Sequence, residues 1–579
     1  MNIFSIFDIF RKRKEIPAPW SKYYSDDDLT INIPNISVYK QLLNTANKYP
    51  NNTAYRYFGK NVSFKTFIKQ IDRAAISFKK LKIKKGNVVT ICLPNLPETL
   101  IAFYALNKLG AIAHMVHPLS AEEEIKEAVI STKSKYLIML DQFYTKVKDI
   151  VGSTKLKHVI FVSPADSMNI FMKLGYKLIN INKYKKYPKN DFYMSWQKLI
   201  NQSRNSKIEI TEKYGKDAPA VILHSGGTSG KPKYVVLQNR AFVMSAIQEK
   251  RAFKNLNVGD SVIAIMPNFH GFGLSVCMHS TMVLGCTSIL VPQFDAKKFD
   301  VLFNKNKPTV IIGVPTLFEA LLSNNNVKNL DMSFVKYAIS GGDMLSKSLE
   351  DKINDYLKQH NSKTKITQGY GMTECLAAVC LAHDDVHKSG SIGVPLPGNY
   401  IKIIDPSTRK TNPYNVVGEI CINTKALMMG YLNNESETNE ALQIHDDGHI
   451  WLHTGDLGYM DEDGFVFCKG RLKRMIITSG YNVFPAHIEE VIESHPAVLQ
   501  CTVVGVPHKY KQEVPKAFIV LKEGYFTMFV KNEIKEYCKK HLSKHMVPHD
   551  FVYRKKLPKT KIGKVDFKKL ESDIGRDDE

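Results

Sequence analysis

The stretch HSGGTSGKPKYVVLQN, from His224 to Asn239, decides how the rest of the chain is interpreted. Its glycines and hydroxyl residues stand beside two lysines, so backbone N–H groups, hydroxyls and positive charge can converge on a phosphate. A P-loop of the Walker A type needs G-x-x-x-x-G-K-[ST], whereas Ser225 stands at the first of these positions and Pro232 at the last. Proline also lacks the N–H that the first turn of a P-loop helix donates. The stretch therefore predicts a phosphate-binding loop that is not a P-loop.

Helical and strand patterns alternate on both sides of this loop. Apolar residues at helical spacing predict a helix over Phe64 to Phe78, with Ser63 as its N-cap. A second predicted helix, Glu98 to Leu109, lies between two apolar runs that predict buried strands, Val88 to Leu93 and Ala111 to Val116. Further strands are predicted at Val310 to Val314 and Tyr337 to Ile339. This alternation predicts parallel β-sheets covered by helices.

The composition is that of an ordinary globular protein of several domains. The 579 residues are 44% hydrophobic and 23% charged, which excludes disordered and fibrous proteins. Nine cysteines stand without a C-x-x-C pair, which is typical of reduced thiols in the cytoplasm and excludes a disulfide framework. The net charge of +24 favours anionic partners. Two basic stretches with aromatic residues, 171–190 and 531–569, carry no nucleic-acid-binding signature, so we predict no nucleic-acid partner.

Two apolar segments raise the question of membrane contact. In Ile3 to Lys14, apolar residues on one helical face precede a basic cluster, and two interpretations stay open: a membrane-surface anchor, or a tail that docks or frays. The segment Gly271 to Phe294 carries no formal charge and is long enough for a membrane span. Its histidine and hydroxyl residues instead favour a buried helix, about Leu274 to Leu284, and a buried strand, Thr287 to Val291. We expect a cytoplasmic protein, with peripheral contact to an anionic membrane as the open alternative.

Seven further motifs follow SGGTSGKPK, and together they resemble the motif series of the adenylate-forming superfamily. This superfamily comprises acyl-CoA synthetases, firefly-type luciferases and the adenylation domains of peptide synthetases. The motifs are MPNFHGFGL (Met266 to Leu274), GVPT (Gly313 to Thr316), SGGDML (Ser340 to Leu345), QGYGMTE (Gln368 to Glu374), WLHTGDLGYMDEDGF (Trp451 to Phe465), GRLKRMI (Gly470 to Ile476) and PKTKIGKV (Pro558 to Val565). The resemblance covers Ser37 to Leu570, and it is closest to the acyl-CoA synthetase branch.

The resemblance implies an α/β fold of two domains. A large N-terminal domain would consist of parallel β-sheets flanked by helices, and a small, mobile C-terminal domain would be of the α+β class. The expected parts are an N-terminal tail (1–36), the large domain (37–472), the C-terminal lid domain after a hinge (473–570) and an acidic tail (571–579).

The resemblance also implies ATP-dependent activation of a carboxylic acid to acyl-AMP, with release of pyrophosphate, followed by transfer to CoA. The implied substrates and cofactors are ATP, Mg²⁺ and CoA. No acidic side chain stands between Asn268 and Phe272, around His270, where an amino-acid-activating domain holds the substrate amine, so a fatty acid is expected. The alternatives are a ligase that loads a carrier-protein thiol and a synthetase for another apolar or aromatic acid. A non-catalytic binding or scaffolding protein would lack some catalytic residue, and none is missing.

Each motif residue carries an implied role. The implied catalytic residues are Lys564, His270, Thr228 and Glu374, and the implied Mg²⁺ ligands are Glu374 and Thr228. The implied nucleotide- and CoA-binding residues are Ser225, Gly226, Gly227, Thr228, Ser229, Gly230, Lys231, Gly342, Asp343, Gly369, Tyr370, Gly371, Thr373, Asp456, Arg471, Lys473, Gly480 and Lys564. Within this set, Thr373 would contact the α-phosphate, Tyr370 would stack on adenine, and Asp456 would accept hydrogen bonds from the ribose with support from Arg471.

Two implied roles concern the C-terminal domain. Lys564 would bridge the carboxylate and the α-phosphate, although Lys559 and Lys561 stand so close that only the register of the motif favours Lys564. Lys473 matches the hinge, and Gly480 would leave space for the pantetheine arm of CoA. Arg474 departs from the family pattern, in which an acidic residue is common after the hinge lysine, and the departure leaves the electrostatics of the hinge open.

Overall fold

The computed structural model describes residues 14–180, 187–188, 190–204, 206, 208–210, 213–225, 232–327, 330–383, 385–479, 481–559 and 565–573. Helices and strands in these residues are numbered in chain order. The helices are α1 (Asp26–Leu29), α2 (Val38–Lys48), α3 (Phe64–Lys80), α4 (Pro97–Lys108), α5 (Glu122–Ser131), α6 (Tyr144–Val151), α7 (Ile170–Ile179), α8 (Trp196–Asn201), α9 (Asn239–Ala252), α10 (Thr281–Val283), α11 (Phe299–Asn306), α12 (Pro315–Leu322), α13 (Lys347–Gln359), α14 (Glu435–Ala441), α15 (Pro485–Glu493), α16 (Thr527–His541) and α17 (Phe567–Ser572).

The strands are β1 (Thr53–Tyr57), β2 (Lys60–Ser63), β3 (Val88–Cys92), β4 (Ile112–Met115), β5 (Tyr136–Leu140), β6 (His158–Val162), β7 (Tyr193–Ser195), β8 (Pro219–Ser225), β9 (Lys233–Gln238), β10 (Ser261–Ala264), β11 (Thr287–Leu290), β12 (Val310–Gly313), β13 (Tyr337–Gly341), β14 (Ile366–Gly371), β15 (Ala378–Leu381), β16 (Val394–Pro395), β17 (Asn399–Ile404), β18 (Gly418–Thr424), β19 (Gly430–Tyr431), β20 (Leu442–Ile444), β21 (Ile450–Met460), β22 (Val466–Arg471), β23 (Ile476–Thr478), β24 (Tyr481–Val483), β25 (Val498–His508), β26 (Gln512–Leu521) and β27 (Asp550–Tyr553).

Two large sheets with parallel centres carry the N-terminal part of the protein. The first sheet has the order β16-β15-β14-β13-β12-β10-β11-β1-β2 and is parallel from β14 to β1. The second has the order β19-β9-β8-β4-β3-β5-β6-β7 and is parallel from β8 to β7. Antiparallel strands complete both ends of the first sheet and the β9–β19 end of the second. Every residue of β5 is buried, as expected of a parallel strand covered on both faces. The predicted α/β fold is confirmed.

A third sheet is antiparallel, and the sequence analysis did not predict it. Its order is β17-β18-β21-β20, with β22 paired to β21. The long strand β21 contains glycine and aspartate, which are depleted in strands, so its motif did not show a strand pattern. This sheet matters for function because Asp456 lies within β21 and pairs in register with Arg471, the last residue of β22.

The N-terminal segment that starts at residue 14 packs on this third sheet. Trp20 is 2% exposed, and its ring centroid lies 6.2 Å from that of Tyr400 in β17. A Cβ atom at Gly464 would lie 2.7 Å from the backbone nitrogen of Trp20, so the contact is close. Residues 1–13, and with them nearly all of the predicted segment Ile3 to Lys14, lie outside the described residues.

The C-terminal part has a sheet and a core of its own. The sheet has the order β24-β23-β26-β25, with β27 parallel to β26. Its two clusters of buried apolar side chains draw only on residues from Ile476 to Leu570. A separate core is what a small α+β domain needs in order to fold as a unit. The expected domain boundaries stay a prediction.

Several predicted elements are confirmed. α3 begins after Ser63, whose hydroxyl accepts a hydrogen bond from the Thr66 N–H at 3.3 Å. β3, α4, β4, β12 and β13 match the predicted segments within two residues. The uncharged stretch also forms the predicted helix and strand, but the helix begins as a π-helical segment, Phe272–Ser280, before α10. Across the described residues, we find no helix that combines the length and apolar character needed to cross a bilayer.

Candidate active site

Most described residues of the predicted site lie at the carboxyl ends of parallel strands. Ser225 is the last residue of β8, and Gly371 is the last residue of β14. Gly342 and Asp343 follow β13 directly. The 3₁₀ turn Thr373–Cys375 follows β14 and lies against β8 and β9, so it joins the ends of the two large sheets. Ligands of open α/β sheets bind at this edge.

Asp456 is the centre of a buried hydrogen-bonded group. The Tyr370 hydroxyl donates to Asp456 Oδ2 at 2.7 Å, and Arg471 Nε lies 3.1 Å from Asp456 Oδ1. Asp456 is 6% exposed, whereas the Arg471 side chain is 59% exposed, so the pair lies at the edge of the buried region. The negative charge of Asp456 raises the pKa of Arg471, and burial raises the pKa of Tyr370. Three predicted nucleotide-binding residues are thus brought together, from β14, β21 and β22.

Glu374 lies in the 3₁₀ turn Thr373–Cys375, which lies against β8 and β9. It is 5% exposed, and its Oε1 accepts a hydrogen bond from the Tyr431 hydroxyl at 2.9 Å. Lys233 Nζ lies 4.7 Å from the centroid of the Tyr431 ring, and 3.1 Å from Glu437 Oε2. The carboxylate is therefore fixed by a tyrosine of β19 that the sequence analysis did not single out.

The strand that leads into the phosphate-binding loop is anchored by two histidines. Nε2 of His114 and Nε2 of His224 lie 2.7 Å apart, and His224 immediately precedes Ser225. Burial lowers the pKa of His224 to about 4 and lowers that of His114 as well. Both rings are therefore neutral at pH 7, and one donates its proton to the other.

Six predicted residues of this loop lie outside the described residues. They are Gly226, Gly227, Thr228, Ser229, Gly230 and Lys231. Their roles on the phosphates stay predictions.

Close backbone contacts explain two glycines of the motifs. A Cβ atom at Gly371 would lie 1.6 Å from the carbonyl oxygen of Ala377, which belongs to the chain that returns into β15. At Gly271 a Cβ atom would lie 1.5 Å from the carbonyl oxygen of Leu376. Both contacts involve backbone atoms, which cannot rotate away as a side chain can. Glycine at these positions lets the segment Met266 to Leu274 and the end of β14 lie close to the backbone that follows Glu374.

The loop that carries His270 is fixed by two buried asparagines. The Asn268 N–H donates to Asn95 Oδ1 at 3.0 Å, and Asn268 Nδ2 donates to the Leu93 carbonyl oxygen at 3.0 Å. Asn95 Nδ2 in turn donates to the carbonyl oxygens of Ala264 and Met266. These bonds tie the end of β10 in the first sheet to the end of β3 in the second. His270 is thereby placed at the start of the π-helical segment, between the two sheets.

The π-helical segment that follows His270 packs against groups that are uncharged at neutral pH. The π-helical segment packs against α9, where Glu249 is 4% exposed and its Oε1 accepts a hydrogen bond from the Ser245 hydroxyl at 2.9 Å. Burial raises the pKa of Glu249 to about 8, so the group is mostly protonated at pH 7. Burial also lowers the pKa of His279 to about 3, which keeps that ring neutral.

The predicted hinge lies between β22 and β23. Lys473 is in the 3₁₀ turn Leu472–Arg474 that connects the third sheet to the C-terminal sheet. Arg474 belongs to the C-terminal side: its Nη2 lies 2.9 Å from Glu489 Oε1, and its guanidinium lies 3.5 Å from the centroid of the Phe567 ring. Arg474 stands where an acidic residue is common in the family. Its side chain fixes the chain to the C-terminal core directly after Lys473.

The segment Pro558 to Val565, here called the lysine loop, is closed at its base. Lys559 and Val565 form an antiparallel bridge, and the Asp566 N–H donates to the Pro558 carbonyl oxygen at 2.9 Å. Burial raises the pKa of Glu319 on α12, and the positive charge of Lys559 opposes this rise. The base of the loop thus lies near the helix that follows β12.

Three further predicted positions are not described. Lys561 and Lys564, within the sequence Pro558 to Val565, and Gly480 lie outside the described residues. The choice of Lys564 over its neighbours stays a prediction.

Glu374 fits the requirements of a Mg²⁺ ligand. Mg²⁺ takes oxygen ligands and is commonly held by one or two carboxylates together with substrate phosphates. The Glu374 carboxylate is buried on a turn next to β8, whose end leads into the phosphate-binding loop. Thr228, the other implied ligand, lies outside the described residues.

In the described part of the chain, the one group that could offer three metal ligands consists of Glu419, Cys421 and His453. Arg409 Nη1 lies 3.6 Å from Glu419 Oε2 and 3.0 Å from His453 Nδ1. The Arg409 guanidinium already supplies positive charge to this group. We interpret this group as an ion-pair network that supports β21.

Two family models and several relatives match the chain. The model described as "AMP-binding enzyme" matches residues 42–432, and the model described as "AMP-binding enzyme C-terminal domain" matches residues 487–564. A long-chain-fatty-acid–CoA ligase of Bacillus subtilis is 29% identical over 554 residues, which cover 94% of this chain and 96% of the relative. A probable 4-coumarate–CoA ligase of Dictyostelium discoideum is 32% identical over 458 residues, which cover 78% of this chain and 80% of the relative.

A solved structure supports the fold. The crystal structure of an anthranilate CoA ligase in complex with anthranoyl-AMP matches with a TM-score of 0.81. The match covers 94% of this chain and 98% of that chain, at 22% identity. At this identity the likeness shows the fold alone.

Proposed function

The chain belongs to the AMP-binding enzyme family, and we propose that it is an AMP-forming acid–CoA ligase whose acid is a medium- or long-chain fatty acid. The observation that carries the proposal is the buried carboxylate of Asp456, bound by Tyr370 and Arg471 at the carboxyl end of β14. A carboxylate in this position can accept hydrogen bonds from the two hydroxyls of a ribose. The reaction class is supported by the two relatives, which are both named as acid–CoA ligases.

In the proposed first step, a carboxylate oxygen of the acid attacks the α-phosphorus of ATP. The bond between this phosphorus and the oxygen that bridges to the β-phosphate breaks, and pyrophosphate leaves with the bonding electrons. Because anionic groups meet, the site must supply positive charge and hydrogen-bond donors. We assign the charge to Lys231 and Lys564 and the donors to Ser225 and Thr228. Glu374 would hold Mg²⁺, which neutralises phosphate charge when bound.

In the proposed second step, the thiol sulfur of CoA attacks the carbonyl carbon of the acyl group. The bond from this carbon to the phosphate oxygen breaks, AMP leaves with the bonding electrons, and the thiol proton is released to water. The thiol comes with CoA, so the chain needs no nucleophile of its own. We propose that rotation at Lys473 withdraws the lysine loop between the steps, since Arg474 fixes the chain to the C-terminal core immediately after that residue.

The choice of a fatty acid is supported by the uncharged surroundings of the π-helical segment that follows His270. The substrate amine of an amino acid would need a carboxylate, and Glu249 is mostly neutral at pH 7 because burial raises its pKa to about 8. The π-helical segment itself is buried from Gly273 to Ser280 and carries no acidic or basic side chain other than the neutral His279. Such surroundings favour an apolar chain.

A panel of acids tests the proposed specificity. Purified protein is assayed for acyl-CoA with acetate, octanoate, palmitate, oleate, 4-coumarate and leucine, each with ATP, Mg²⁺ and CoA. Each buried methylene contributes ~0.8 kcal/mol, or roughly a fourfold gain, so kcat/KM is expected to rise with chain length until the pocket is filled. If acetate, leucine or 4-coumarate is the best substrate, the fatty-acid assignment is wrong even though the reaction class stands.

A further inference from the structure

Helix α7 presents an apolar face to solvent. Its sequence is IFMKLGYKLI, and five of its ten residues are large apolar side chains that are more than half exposed. These are Ile170 (63%), Phe171 (83%), Leu174 (55%), Leu178 (72%) and Ile179 (83%). Contiguous apolar surface of this kind on a water-soluble protein marks an interaction site.

The opposite face of α7 is packed, so the helix has a defined orientation. Met172 and Tyr176 pack against the main core, and the Tyr176 hydroxyl accepts a hydrogen bond from Gln142 Nε2 at 2.7 Å. Asn169 caps the helix by accepting a hydrogen bond from the Met172 N–H at 2.9 Å. At about 100° per residue, the exposed residues 170, 171, 174 and 178 share an arc of roughly 100° that faces away from Met172 and Tyr176.

Positive charge borders the apolar face. Lys173 and Lys177 are the charged residues of α7, and the helix contains no acidic residue. In a helical projection both lysines fall on one side of the exposed apolar arc. Asp166 interacts with Lys173 and Lys177, and Glu98 and Asp141 lie near Asp166; burial raises the pKa of all three carboxyls. An incoming surface therefore meets apolar side chains with lysines at their edge.

We propose that α7 docks on an anionic phospholipid bilayer, with Phe171, Leu174 and Leu178 at the boundary of headgroups and acyl chains and with Lys173 and Lys177 at the lipid phosphates. A helix with an apolar face, low acidity and lysines beside that face is the usual form of a surface-bound membrane helix. The net charge of +24 adds long-range attraction to such a surface. The proposal does not depend on the proposed acid specificity, because it concerns a surface outside the candidate active site.

Vesicle co-sedimentation tests this proposal on the full-length protein. We expect binding to phosphatidylglycerol–phosphatidylcholine vesicles at low salt, weaker binding at high salt, and little binding to pure phosphatidylcholine. The double variant Phe171→Ser/Leu178→Ser is expected to lower the partition coefficient at least about tenfold. The matched control is Phe526→Ser/Phe529→Ser, which removes two exposed aromatic side chains (65% and 67%) at α16. An equal loss in both variants, or a wild-type protein that stays in the supernatant, overturns the proposal.

A fluorescence probe reports the contact directly. The three native tryptophans, Trp20, Trp196 and Trp451, are at most 3% exposed, so they are insensitive to a bilayer. A Phe171→Trp variant is expected to show a blue shift of its emission when anionic vesicles are added, whereas Phe526→Trp is not. If the emission of the Phe171→Trp variant shifts to the blue without vesicles as protein concentration rises, the face binds a second copy of the chain. The bilayer assignment is then wrong. Wild-type circular dichroism and an unchanged rate with octanoate show that each variant is folded.

Discussion

Asp456 illustrates how single residues define the candidate site. Its carboxylate is buried and is satisfied on one oxygen by the Tyr370 hydroxyl and on the other by Arg471. A buried carboxylate without partners would be costly, and the two partners offset this cost and orient the group. The sequence predicted these three residues from their motifs, but Tyr370 and Asp456 are 86 positions apart, so their hydrogen bond could not be derived from local pattern.

An Asp456→Asn variant tests the nucleotide role. The asparagine side chain keeps the shape of Asp456. It lacks the negative charge that pairs with Arg471, and it offers the ribose one hydrogen-bond acceptor fewer. We expect the KM for ATP to rise about 10- to 100-fold, in line with the loss of one or two hydrogen bonds to a charged group. The control is Asp463→Asn, since Asp463 is exposed and bonds to Lys22. An ATP KM that is equal in Asp456→Asn and wild type would show that this carboxylate does not contact the nucleotide.

The histidine pair before the phosphate-binding loop predicts a pH dependence of stability. Burial lowers the pKa of His224 from 6.5 to about 4. Between these values the unfolded chain binds a proton that the folded chain does not, so the free energy of unfolding decreases as pH falls from about 6.5 to about 4. One such histidine contributes on the order of 3 kcal/mol across this window.

Urea unfolding at several pH values between 7 and 4 measures the effect. The variant His224→Gln is expected to lose less stability than wild type as pH falls, whereas the exposed control His541→Gln is expected to follow wild type. Parallel curves for His224→Gln and wild type would show that the pair is not neutral in the folded protein.

At the scale of elements, the parallel strands and their helices were predictable, whereas the antiparallel strands were not. β3 and β4 are short, continuous apolar runs bounded by turn residues, which is the pattern of a strand buried on both faces. β21 alternates less clearly and contains residues that serve the site. The contacts of Tyr431 with Glu374 and of Asn95 with Asn268 span 57 and 173 positions, so only the tertiary structure reveals them.

A Gly371→Ala variant tests the close contact between β14 and the chain that enters β15. The new Cβ atom would lie 1.6 Å from the Ala377 carbonyl oxygen, so the backbone must move. We expect the free energy of unfolding to fall by about 1–3 kcal/mol and the KM for ATP to rise, because the turn that carries Glu374 shifts with β14. Gly152→Ala is the control, since no atom lies within 4 Å of its Cβ position, and its effect is expected to stay within about 0.5 kcal/mol. A Gly371→Ala protein as stable as that control would contradict the packing described here.

At the scale of the whole molecule, the predicted hinge follows the third sheet and precedes a separate C-terminal core. The core of the C-terminal sheet draws on residues from Ile476 onward, and Arg474 is bound to Glu489 and Phe567 on that side. The sequence predicted the hinge only through the resemblance of GRLKRMI to a family motif. The contact of Arg474 with Phe567 could not be predicted from the sequence, because the two residues are far apart in the chain.

A Lys473→Pro variant tests rotation at the hinge. Proline fixes φ and so opposes the change of backbone angle between the two steps. We expect acyl-AMP formation to persist and acyl-CoA formation to fall at least about tenfold, whereas Lys473→Ala, which keeps the backbone free, is expected to retain both. Full turnover of Lys473→Pro would show that the hinge lies elsewhere.

The reaction itself is tested by following pyrophosphate and acyl-CoA with palmitate, ATP and Mg²⁺, with and without CoA. Without CoA we expect release of about one pyrophosphate per enzyme, and with CoA we expect continuous release with equal amounts of AMP and palmitoyl-CoA. Lys564→Ala is expected to lose pyrophosphate release but still convert supplied palmitoyl-AMP and CoA to palmitoyl-CoA, whereas Lys559→Ala is expected to retain both half-reactions. Production of ADP and phosphate, or pyrophosphate release that does not depend on an acid, would contradict an AMP-forming acid–CoA ligase.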